Sequence, residues 1–328
     1  MLDYAAMDVK IQKCLVILGP TSVGKTDLAL NLAKDYGGEL VACDSRQVYK
    51  GLDIGTGKMP NIKDQLSSIK KDQGFWEIAG IRVWMYDVAK PQEQYSVNQY
   101  VKDAKAVVDR IVEQGKLPII VGGTGLYLKG LLYGFDQAET PINYQLREEL
   151  EKSSLGEVQE RLNNLSPTLL GGLNHSEKNN KRRLIRKIEI VMYGYTDKVS
   201  QGSGIIGHGF DCLLIGLLAP RPILNRSIDL RLDLRLSQGL IEEARQLHKN
   251  GLSFKRMREL GLEYEVLADL LEDKIAIDEC QKKLKDINHQ YAKRQMTYFK
   301  KMKDIHWFDV TDKNYLWEIA KMISDWYN

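Results

Sequence analysis

Short apolar runs alternate with longer amphipathic segments along the first 135 residues of the chain. Residues 14–18, 40–43 and 117–121 are continuous apolar runs, which are typical of strands buried on both faces. Residues 97–113 repeat apolar positions at helical spacing, and the segment that follows the first apolar run has the same periodicity. Strands and helices that alternate in this way predict an α/β fold, with a parallel sheet and helices on both of its faces.

The pattern changes after about residue 134. Residues 144–195 are rich in charge, have helical periodicity and contain no strand-like run. Residues 202–209 include four glycines and predict a flexible connector, whereas the apolar run at 212–218 predicts a strand that returns to the core sheet. Helices are expected after that strand, before a short strand at 306–308. We therefore predict an α/β core that a helical insertion interrupts, with bounds at 1–135 (core, first part), 136–205 (insertion) and 206–328 (core, second part, with basic C-terminal helices).

Composition and charge narrow the class of protein. The 328 residues are 43% hydrophobic and 28% charged, which is typical of a globular protein, and the net charge of +3 is too small to indicate a nucleic-acid partner by itself. The four cysteines form no CxxC pair, so a zinc ribbon is not expected. Their wide spacing is instead typical of free thiols in a reducing compartment. No apolar run reaches membrane-spanning length, and the N-terminus lacks a signal-peptide pattern. We expect a soluble, cytoplasmic protein that does not contact a membrane.

The sequence GPTSVGKT at residues 19–26 matches the phosphate-binding pattern GxxxxGK[ST] between a predicted strand and a predicted helix. The loop lets backbone N–H groups converge on an anion at the N-terminus of a helix. The Lys25 ammonium adds charge, and the Thr26 hydroxyl is placed to bind Mg²⁺. Most proteins with this loop bind ATP or GTP, so a kinase of a small metabolite is the default hypothesis. The residues predicted to hold the phosphates are Gly19, Thr21, Ser22, Val23, Gly24, Lys25 and Thr26.

Asp44 closes the second apolar run. The carboxyl ends of neighbouring parallel strands converge on one crevice, so Asp44 should lie beside the bound phosphates. There its carboxylate could act on a reacting group or help to hold Mg²⁺. Alternatively, Asp44 or Ser45 only caps the next turn. Position alone does not decide between these interpretations.

Several motifs in a fixed order resemble those of the tRNA dimethylallyltransferases, also called tRNA isopentenyltransferases. They are GPTSVGKT, DSRQVYKGLDIGTGK at 44–58, GGTGLYLKGLL at 122–132, NNKRRLIRKIEI from Asn179 and YAKRQMTYFKK from Tyr291. The resemblance spans nearly the whole chain. It implies transfer of a dimethylallyl group from dimethylallyl diphosphate to N6 of the adenosine 3′-adjacent to the anticodon in tRNA. It also implies that the loop at 19–26 grips a diphosphate.

The resemblance also implies roles for individual residues. Asp44 is the base that takes the proton of the adenine amine, and Thr124 lies near the target base. Lys25 and Mg²⁺ stabilise the diphosphate as it leaves. Arg221 grips the diphosphate, whereas a second arginine is expected at position 227, where this chain has Ser227, with Arg226 one position earlier. Arg231 matches a later arginine of the family. The resemblance also implies that Ser45, Arg46 and Gln47 bind the tRNA, together with Asp44 and Thr124.

Two basic clusters have a composition that suits RNA binding, independently of the family resemblance. One lies in the helical insertion around Arg182, and the other places eight Lys or Arg and one acidic residue between positions 282 and 303, interleaved with aromatic side chains. Lys and Arg contact phosphates, and aromatic rings stack on bases, so both clusters suit a folded RNA. Alone, each would be interpreted as a solvated helix face. With the family resemblance, contacts to the tRNA anticodon stem-loop are predicted for Arg182, Arg183, Arg186, Lys293 and Arg294.

The leading hypothesis is therefore a tRNA prenyltransferase that uses dimethylallyl diphosphate and Mg²⁺ and acts as a monomer. Three alternatives stay open. They are a P-loop kinase of a small metabolite, an enzyme that prenylates free adenine nucleotides, and a non-catalytic RNA-binding protein that keeps the loop as a scaffold. Intact Lys25, Thr26 and Asp44 argue against the last of these.

Overall fold

A computed structural model describes residues 11–59, 69–135, 140–194 and 204–327. The N-terminal segment 1–10, in which no signal peptide is expected, lies outside these ranges, as do the end of the predicted helical segment at Tyr195 and the start of the connector at Gly202. The chain forms two compact units. The first contains Met1–Tyr133 and Ile205–Asn328, and the second contains Gly134–Gly204.

The first unit is built on an eight-stranded sheet in the order β3-β4-β5-β2-β6-β1-β7-β8. The strands from β5 to β8 in this order pair in parallel, which confirms the predicted parallel core. The predicted strands all form, and the apolar run at 212–218 does return to the sheet beside the first strand. The strand bounds are β1 Gln12–Leu18, β2 Gly38–Cys43, β3 Lys70–Asp72, β4 Gly74–Ile78, β5 Ile81–Tyr86, β6 Leu117–Gly122, β7 Phe210–Leu218 and β8 Ile305–Asp309.

One edge of the sheet departs from the predicted parallel pattern. Strands β3, β4 and β5 pair antiparallel with one another, and no strand is predicted there from the sequence. β3 and β4 are three and five residues long and mix charged with apolar residues, so they lack the continuous apolar run that predicts a buried strand. β5 does contain such a run, at residues 83–86, and the sequence analysis does not assign it to a strand. The predicted parallel core therefore forms, and this edge adds an antiparallel extension that the sequence analysis does not predict.

Helices surround the sheet of the first unit. The second of them, Val97–Glu113, has the predicted bounds and begins with a capping box, in which Ser96 and Gln99 satisfy each other's backbone N–H groups. A C-terminal helix, Tyr315–Tyr327, is not among the sequence predictions. The helix bounds are α1 Lys25–Asp35, α2 Val97–Glu113, α3 Gly125–Tyr133, α9 Arg221–Ser237, α10 Leu240–Lys249, α11 Phe254–Leu260, α12 Glu263–Leu271, α13 Ile277–Phe299 and α14 Tyr315–Tyr327.

The second unit is helical, as the sequence predicts for this region. Its helices are α4 Tyr144–Lys152, α5 Leu155–Leu165, α6 Pro167–Gly172, α7 His175–Lys178 and α8 Lys181–Met192. They enclose a small apolar core of their own, to which Leu146, Val158 and Leu184 contribute. Side-chain oxygens of Ser or Asn cap the N-terminus of each of these helices, which satisfies backbone N–H groups that the helix leaves unpaired.

The described part of the predicted flexible connector, residues 204–209, contains regular structure. Ile205–His208 forms a short 3₁₀ helix, and Ile205 is fully buried in the core of the first unit. Burial of this side chain explains why a glycine-rich segment is structured here, since the apolar surface that Ile205 removes from water offsets the entropy lost in the turn. Among the described helices, none combines the length and the apolar composition that crossing a bilayer requires.

Candidate functional site at the carboxyl ends of the parallel strands

The phosphate-binding loop connects β1 to α1, as predicted. Gly24 has φ of 90° and directly precedes the first helical residue, Lys25, while Ser22 has φ of 63°, which is unusual for a residue with a Cβ. Strain of this kind persists where the surrounding structure imposes a loop shape that function requires. Lys25 Nζ donates a hydrogen bond to the Pro20 carbonyl at 2.6 Å, so the lysine is folded back over its own loop.

The loops after β2 and β6 are bound to each other beside the phosphate-binding loop. A Cβ on Gly122 would lie 2.1 Å from the Cys43 carbonyl oxygen, so only glycine permits this approach. The Thr124 N–H donates to the same carbonyl at 3.2 Å. Thr124 Oγ1 accepts from the Ser45 N–H at 3.1 Å, and Thr124 lines neither of the cavities described below. Thr124 is therefore bonded to the loop that carries Asp44, and its side chain also forms a hydrogen bond with Tyr291 of helix α13.

Asp44 combines the two interpretations that its position in the sequence left open. Its Oδ1 accepts from the N–H groups of Arg46 at 2.9 Å and Gln47 at 3.4 Å, which caps the turn after β2. The side chain also lines a cavity together with Lys25 and Thr26. Its Oδ2 has no hydrogen bond to the described residues. One carboxylate oxygen thus orients the side chain, and the other can accept a proton.

Two cavities meet at the phosphate-binding loop, and Lys25, Thr26 and Arg231 line both of them. The strand-end cavity has a volume of about 680 Å³ and contains Asp44. The loop cavity has a volume of about 1000 Å³. The remaining strand-end lining residues are Thr21, Arg46, Gln47, Gly55, Thr56, Tyr86, Val121, Gly122, Gly123, Arg235, Leu262, Glu263, Asn288, Tyr291 and Gln295. The remaining loop-cavity lining residues are Ser22, Val23, Gly24, Asp27, Gly57, Met59, Ser227, Leu230 and Leu234.

The shared wall of the two cavities is strongly cationic. Burial and, to a smaller extent, the Arg231 charge lower the pKa of Lys25 to about 7, against the opposing effect of Asp44. Burial and the neighbouring Arg235 similarly lower the pKa of Arg231 to about 9, against the attraction of Asp27. Two cations held together out of water disfavour their own charges. An anion with concentrated charge would relieve this repulsion, so the arrangement is suited to a diphosphate.

The arginines of helix α9 do not lie where the sequence pattern alone suggests. Arg221 is exposed in the first turn and lines neither cavity, and Arg226 is exposed as well. Ser227 lines the loop cavity, and Arg231 reaches the shared wall, where its Nη2 donates to the Gly57 carbonyl at 3.3 Å. Arg221 begins the helix about 15 Å from Arg231 along the axis, at 1.5 Å per residue. The arginine that the fold brings to the phosphate-binding loop is Arg231.

A second arginine of α9 is missed by the sequence analysis. Arg235 is buried, and its Nη1 donates to the Gly55 carbonyl at 3.2 Å and to Glu263 Oε1 at 3.3 Å. It lies one helical turn after Arg231, so the pattern i, i+4 could have indicated that both arginines share a face. Glu243 fixes the same loop from helix α10, because its carboxylate accepts from three consecutive N–H groups that end at Gly55.

Helix α13 contributes side chains that the sequence analysis considered only as part of a basic cluster. Asn288, Tyr291 and Gln295 line the strand-end cavity and recur at helical spacing along one face. Burial and the Asp44 charge raise the pKa of Tyr291 to about 12 against the opposing effect of Arg46, whose guanidinium lies 5.6 Å from the centre of the Tyr291 ring. Polar side chains at helix positions that otherwise carry buried apolar residues are the sequence signal that could have indicated these residues.

The residues predicted to contact tRNA fall into different environments. Lys293 and Arg294 are exposed on α13, and Arg182 and Arg183 are exposed in the first turn of α8. Arg186, in contrast, is engaged inside the second unit. Its guanidinium donates to the Glu189 carboxylate at 2.9 Å and to the Thr140 carbonyl at 2.8 Å.

The residues present fit a magnesium ion that is bound together with a phosphate ligand. Within the described residues, no group of three or more His, Cys, Asp or Glu side chains could hold a metal ion alone. Mg²⁺ needs few protein ligands, however, because it keeps water and takes phosphate oxygens as ligands. The Thr26 hydroxyl and the Asp44 carboxylate line the same cavity and are oxygen donors of this kind.

The chain is similar to known proteins over most of its length. Residues 47–302 match the family model described as IPP transferase, and residues 12–74 match the model described as isopentenyl transferase. The chain is 35% identical over 327 residues to the tRNA dimethylallyltransferases of Bacillus mycoides (strain KBAB4) and Bacillus cereus (strain AH187), and each alignment covers 97% of this chain and 96% of the relative.

The fold of this chain is also similar to solved structures of tRNA isopentenylpyrophosphate and dimethylallyl transferases. The full-length tRNA isopentenylpyrophosphate transferase from Bacillus halodurans superposes with a TM-score of 0.67 at 29% identity, over 96% of both chains. A eukaryotic dimethylallyltransferase acting on tRNA superposes with a TM-score of 0.76 at 24% identity, over 96% of this chain and 79% of the other, which supports the fold alone. By sequence, by fold and by the match over most of its length, the chain belongs to the IPP transferase family.

Proposed function

We propose that this protein transfers a dimethylallyl group from dimethylallyl diphosphate to N6 of an adenosine in tRNA, at the position 3′-adjacent to the anticodon. The observation that carries the proposal is that Lys25, Thr26 and Asp44 line one cavity, within a chain that belongs to the IPP transferase family. A site of this kind holds, in one cavity, the diphosphate leaving group of the reacting carbon and a proton acceptor for the attacking amine.

The diphosphate end of the donor binds at the shared wall of the two cavities. The loop around Gly24, the Lys25 ammonium and the Arg231 guanidinium line this wall and supply the N–H groups and the positive charge that the leaving group needs. The allylic carbon becomes cation-like as its bond to the diphosphate oxygen breaks, and negative charge collects on that oxygen. Stabilising that charge with preorganised cations lowers the barrier to bond breaking.

The acceptor side of the reaction takes place beside Asp44. The N6 lone pair of adenine forms the new bond to the allylic carbon, and the nitrogen then loses a proton to the Asp44 carboxylate. The atoms balance, since one carbon–oxygen bond breaks, one carbon–nitrogen bond forms and diphosphate departs. The hydrogen bonds from Arg46 and Gln47 to Oδ1 orient the carboxylate, which leaves Oδ2 for the proton.

Mg²⁺ is the metal that the Thr26 hydroxyl and the diphosphate oxygens would hold, and it would neutralise part of the leaving-group charge. The adenosine must leave the stack of the anticodon loop to reach Asp44. We propose that Lys293 and Arg294 contact RNA phosphates beside the site and that Arg182 and Arg183 contact them from the second unit. Thr124 holds the loop that carries Asp44, through its bond to the Ser45 N–H.

Incubation with dimethylallyl diphosphate, Mg²⁺ and unmodified tRNA, followed by mass analysis of the nucleosides, tests the proposal. An adenosine that gains a five-carbon group supports it. Free adenosine monophosphate as the acceptor distinguishes an enzyme that prenylates nucleotides. Consumption of ATP with a metabolite and no prenylation of tRNA would instead favour a P-loop kinase and contradict the proposal.

A further inference from the structure

One buried side chain ties together two of the loops that form the strand-end cavity. Gln295, on helix α13, is 6% exposed. Its Oε1 accepts from the Thr21 N–H of the phosphate-binding loop at 2.8 Å, and its Nε2 donates to the Gly123 carbonyl at 2.9 Å. Because an amide carries both an acceptor and donors, this single side chain can satisfy both backbone groups at once.

The close packing of Gly123 against Gln295 leaves the Gln295 amide little freedom to adopt another position. A Cβ on Gly123 would lie 2.2 Å from Gln295 Nε2, so the glycine is the residue that lets the amide approach. The two loops are far from Gln295 in sequence, and neither contains another side chain that reaches across between them among the described hydrogen bonds. Thr21 therefore gives its N–H to Gln295, and the shape of the loop from Thr21 to Lys25 is fixed from outside.

The same helix contacts the third loop of the site. Tyr291, one turn before Gln295, packs against the Arg46 guanidinium after β2. Its neighbours in sequence, Lys293 and Arg294, are exposed. Helix α13 thus carries exposed cations on one side and, on the other, the groups that hold the loops after β1, β2 and β6.

We infer that Gln295 is a positioning residue that sets the shape of the phosphate-binding loop, and through it the placement of the diphosphate for transfer. The inference rests on the proposed function for the identity of the diphosphate donor. Without the amide, the Thr21 N–H and the Gly123 carbonyl lose their partner in a buried place, so the loop relaxes toward other conformations. The cradle of N–H groups is then no longer preorganised, and each bound phosphate has to reorder it.

The first test measures binding of inorganic pyrophosphate with Mg²⁺, by calorimetry, without tRNA. Gln295→Met keeps the side-chain volume and removes both hydrogen bonds, so it should weaken pyrophosphate binding about ten- to a hundredfold. The KM for dimethylallyl diphosphate should rise in parallel, whereas the Kd for tRNA should stay within about twofold, because Lys293 and Arg294 are unchanged. Gln281→Ala, at an exposed glutamine of the same helix, is the control and should match the wild type.

A second variant separates hydrogen bonding from packing and keeps the test valid if the Met variant does not fold. In Gln295→Glu, the ionised carboxylate still accepts from Thr21 but cannot donate to Gly123, and it adds negative charge near the diphosphate. When the carboxyl is protonated it again has one donor and one acceptor, and burial raises the pKa of such a group. The ratio of wild-type to variant pyrophosphate affinity should therefore fall toward one between pH 8 and pH 5.

Wild-type affinity in Gln295→Met, or a Gln295→Glu ratio that does not change with pH, would overturn the inference. Failure of the proposed function is a different result. In that case the wild type binds pyrophosphate but does not prenylate tRNA, while the dependence of pyrophosphate binding on Gln295 can still be measured.

Discussion

Helices α8 and α13 share a sequence signal, yet the structure uses their cations differently. In α8, Lys181 donates to the Glu151 and Ser153 carbonyls and Arg186 pairs with Glu189, so part of the basic cluster stabilises the second unit itself. In α13, the cations at 293 and 294 are exposed, and the polar side chains of another face line the strand-end cavity. A basic cluster therefore contains both exposed cations and cations that bond to their own unit, and only the packing of each side chain distinguishes them.

The comparison leads to a division of roles. The first unit contains the groups that can perform the chemistry, and the second unit contributes exposed cations that can raise RNA affinity. Substitutions at the strand-end cavity should change the rate of transfer, whereas substitutions in α8 should change either the stability of the second unit or the affinity for tRNA. The following four predictions test this division.

The largest effect is expected at Asp44. Asp44→Asn keeps an oxygen that accepts from the Arg46 and Gln47 N–H groups, but it removes the proton acceptor. We expect kcat to fall by about 10²- to 10⁴-fold, with the Kd for tRNA within about twofold of the wild type. Single-turnover assays and filter binding measure the two quantities. Asp44→Ala should show the same loss of rate with an added loss of stability, and an Asn variant with normal kcat would remove Asp44 from the chemistry.

A smaller effect is expected at the ion cluster of the second unit. The Glu189 side chain is 1% exposed and pairs with Arg147 at 2.6 Å and Arg186 at 2.9 Å. Burial alone would raise the pKa of Glu189, but hydrogen bonds from both arginines lower it. Since Arg147 and Arg186 remain about a third exposed and are partly screened, Glu189→Gln should lower the free energy of unfolding of this unit by about 2 kcal/mol.

Hydrogen exchange at the amides of α4 and α8 measures this change, with the amides of the first unit as an internal reference. A carboxyl with a lowered pKa stabilises the fold above its unfolded pKa, and the contribution disappears as the pH falls through the folded pKa. The wild-type exchange rates in α8 should therefore approach those of Glu189→Gln in acid. Glu148→Gln, at an exposed glutamate, is the control. Equal effects from the two substitutions would show that the buried cluster does not hold the unit together.

An effect of pH is expected at Lys25, whose pKa is lowered to about 7. The charged form binds the diphosphate, so kcat/KM for dimethylallyl diphosphate should fall by up to about tenfold per pH unit above this pKa. An arginine stays charged across this range, so Lys25→Arg should lose this dependence even if its overall activity is lower. The ionisation of the donor cancels when the two proteins are compared at each pH. The same decline in both proteins would assign the titration to another group.

The smallest effect is expected at the exposed cations of α8. Replacing Arg182 and Arg183 by alanine should weaken tRNA binding several-fold and reduce the salt dependence of log Kd by about one to two, with kcat unchanged. Arg161→Ala, at an exposed arginine in α5 outside both basic clusters, is the matched control. If the control has the same effect, these arginines contribute only to the general charge of the unit. If kcat falls as well, the division between the two units is wrong.

The sequence by itself determined the features that are local along the chain. The phosphate-binding loop is defined by the apolar run of β1, the glycines after it and Lys25 at the start of α1. Strand, turn and helix preferences all act over a few residues, so such a loop can be predicted from the sequence. The position of Asp44 after β2 followed from the same reasoning, because the carboxyl ends of parallel strands share one edge. The helical character of residues 144–192 and the return of β7 to the sheet were also predictable from periodicity alone.

The tertiary structure decided which distant residues complete the site. Arg221 and Arg231 lie on one helix, and only the direction of that helix selects Arg231 for the phosphate-binding loop. Gln295 reaches a loop that is 274 residues away in sequence, a contact that no local pattern encodes. β5 pairs with β2, and β4 and β3 are added in turn by antiparallel pairing, so these short strands form through contacts with their neighbours in the sheet. Contacts of this kind depend on the packing of whole elements, so the sequence specifies them only through the completed fold.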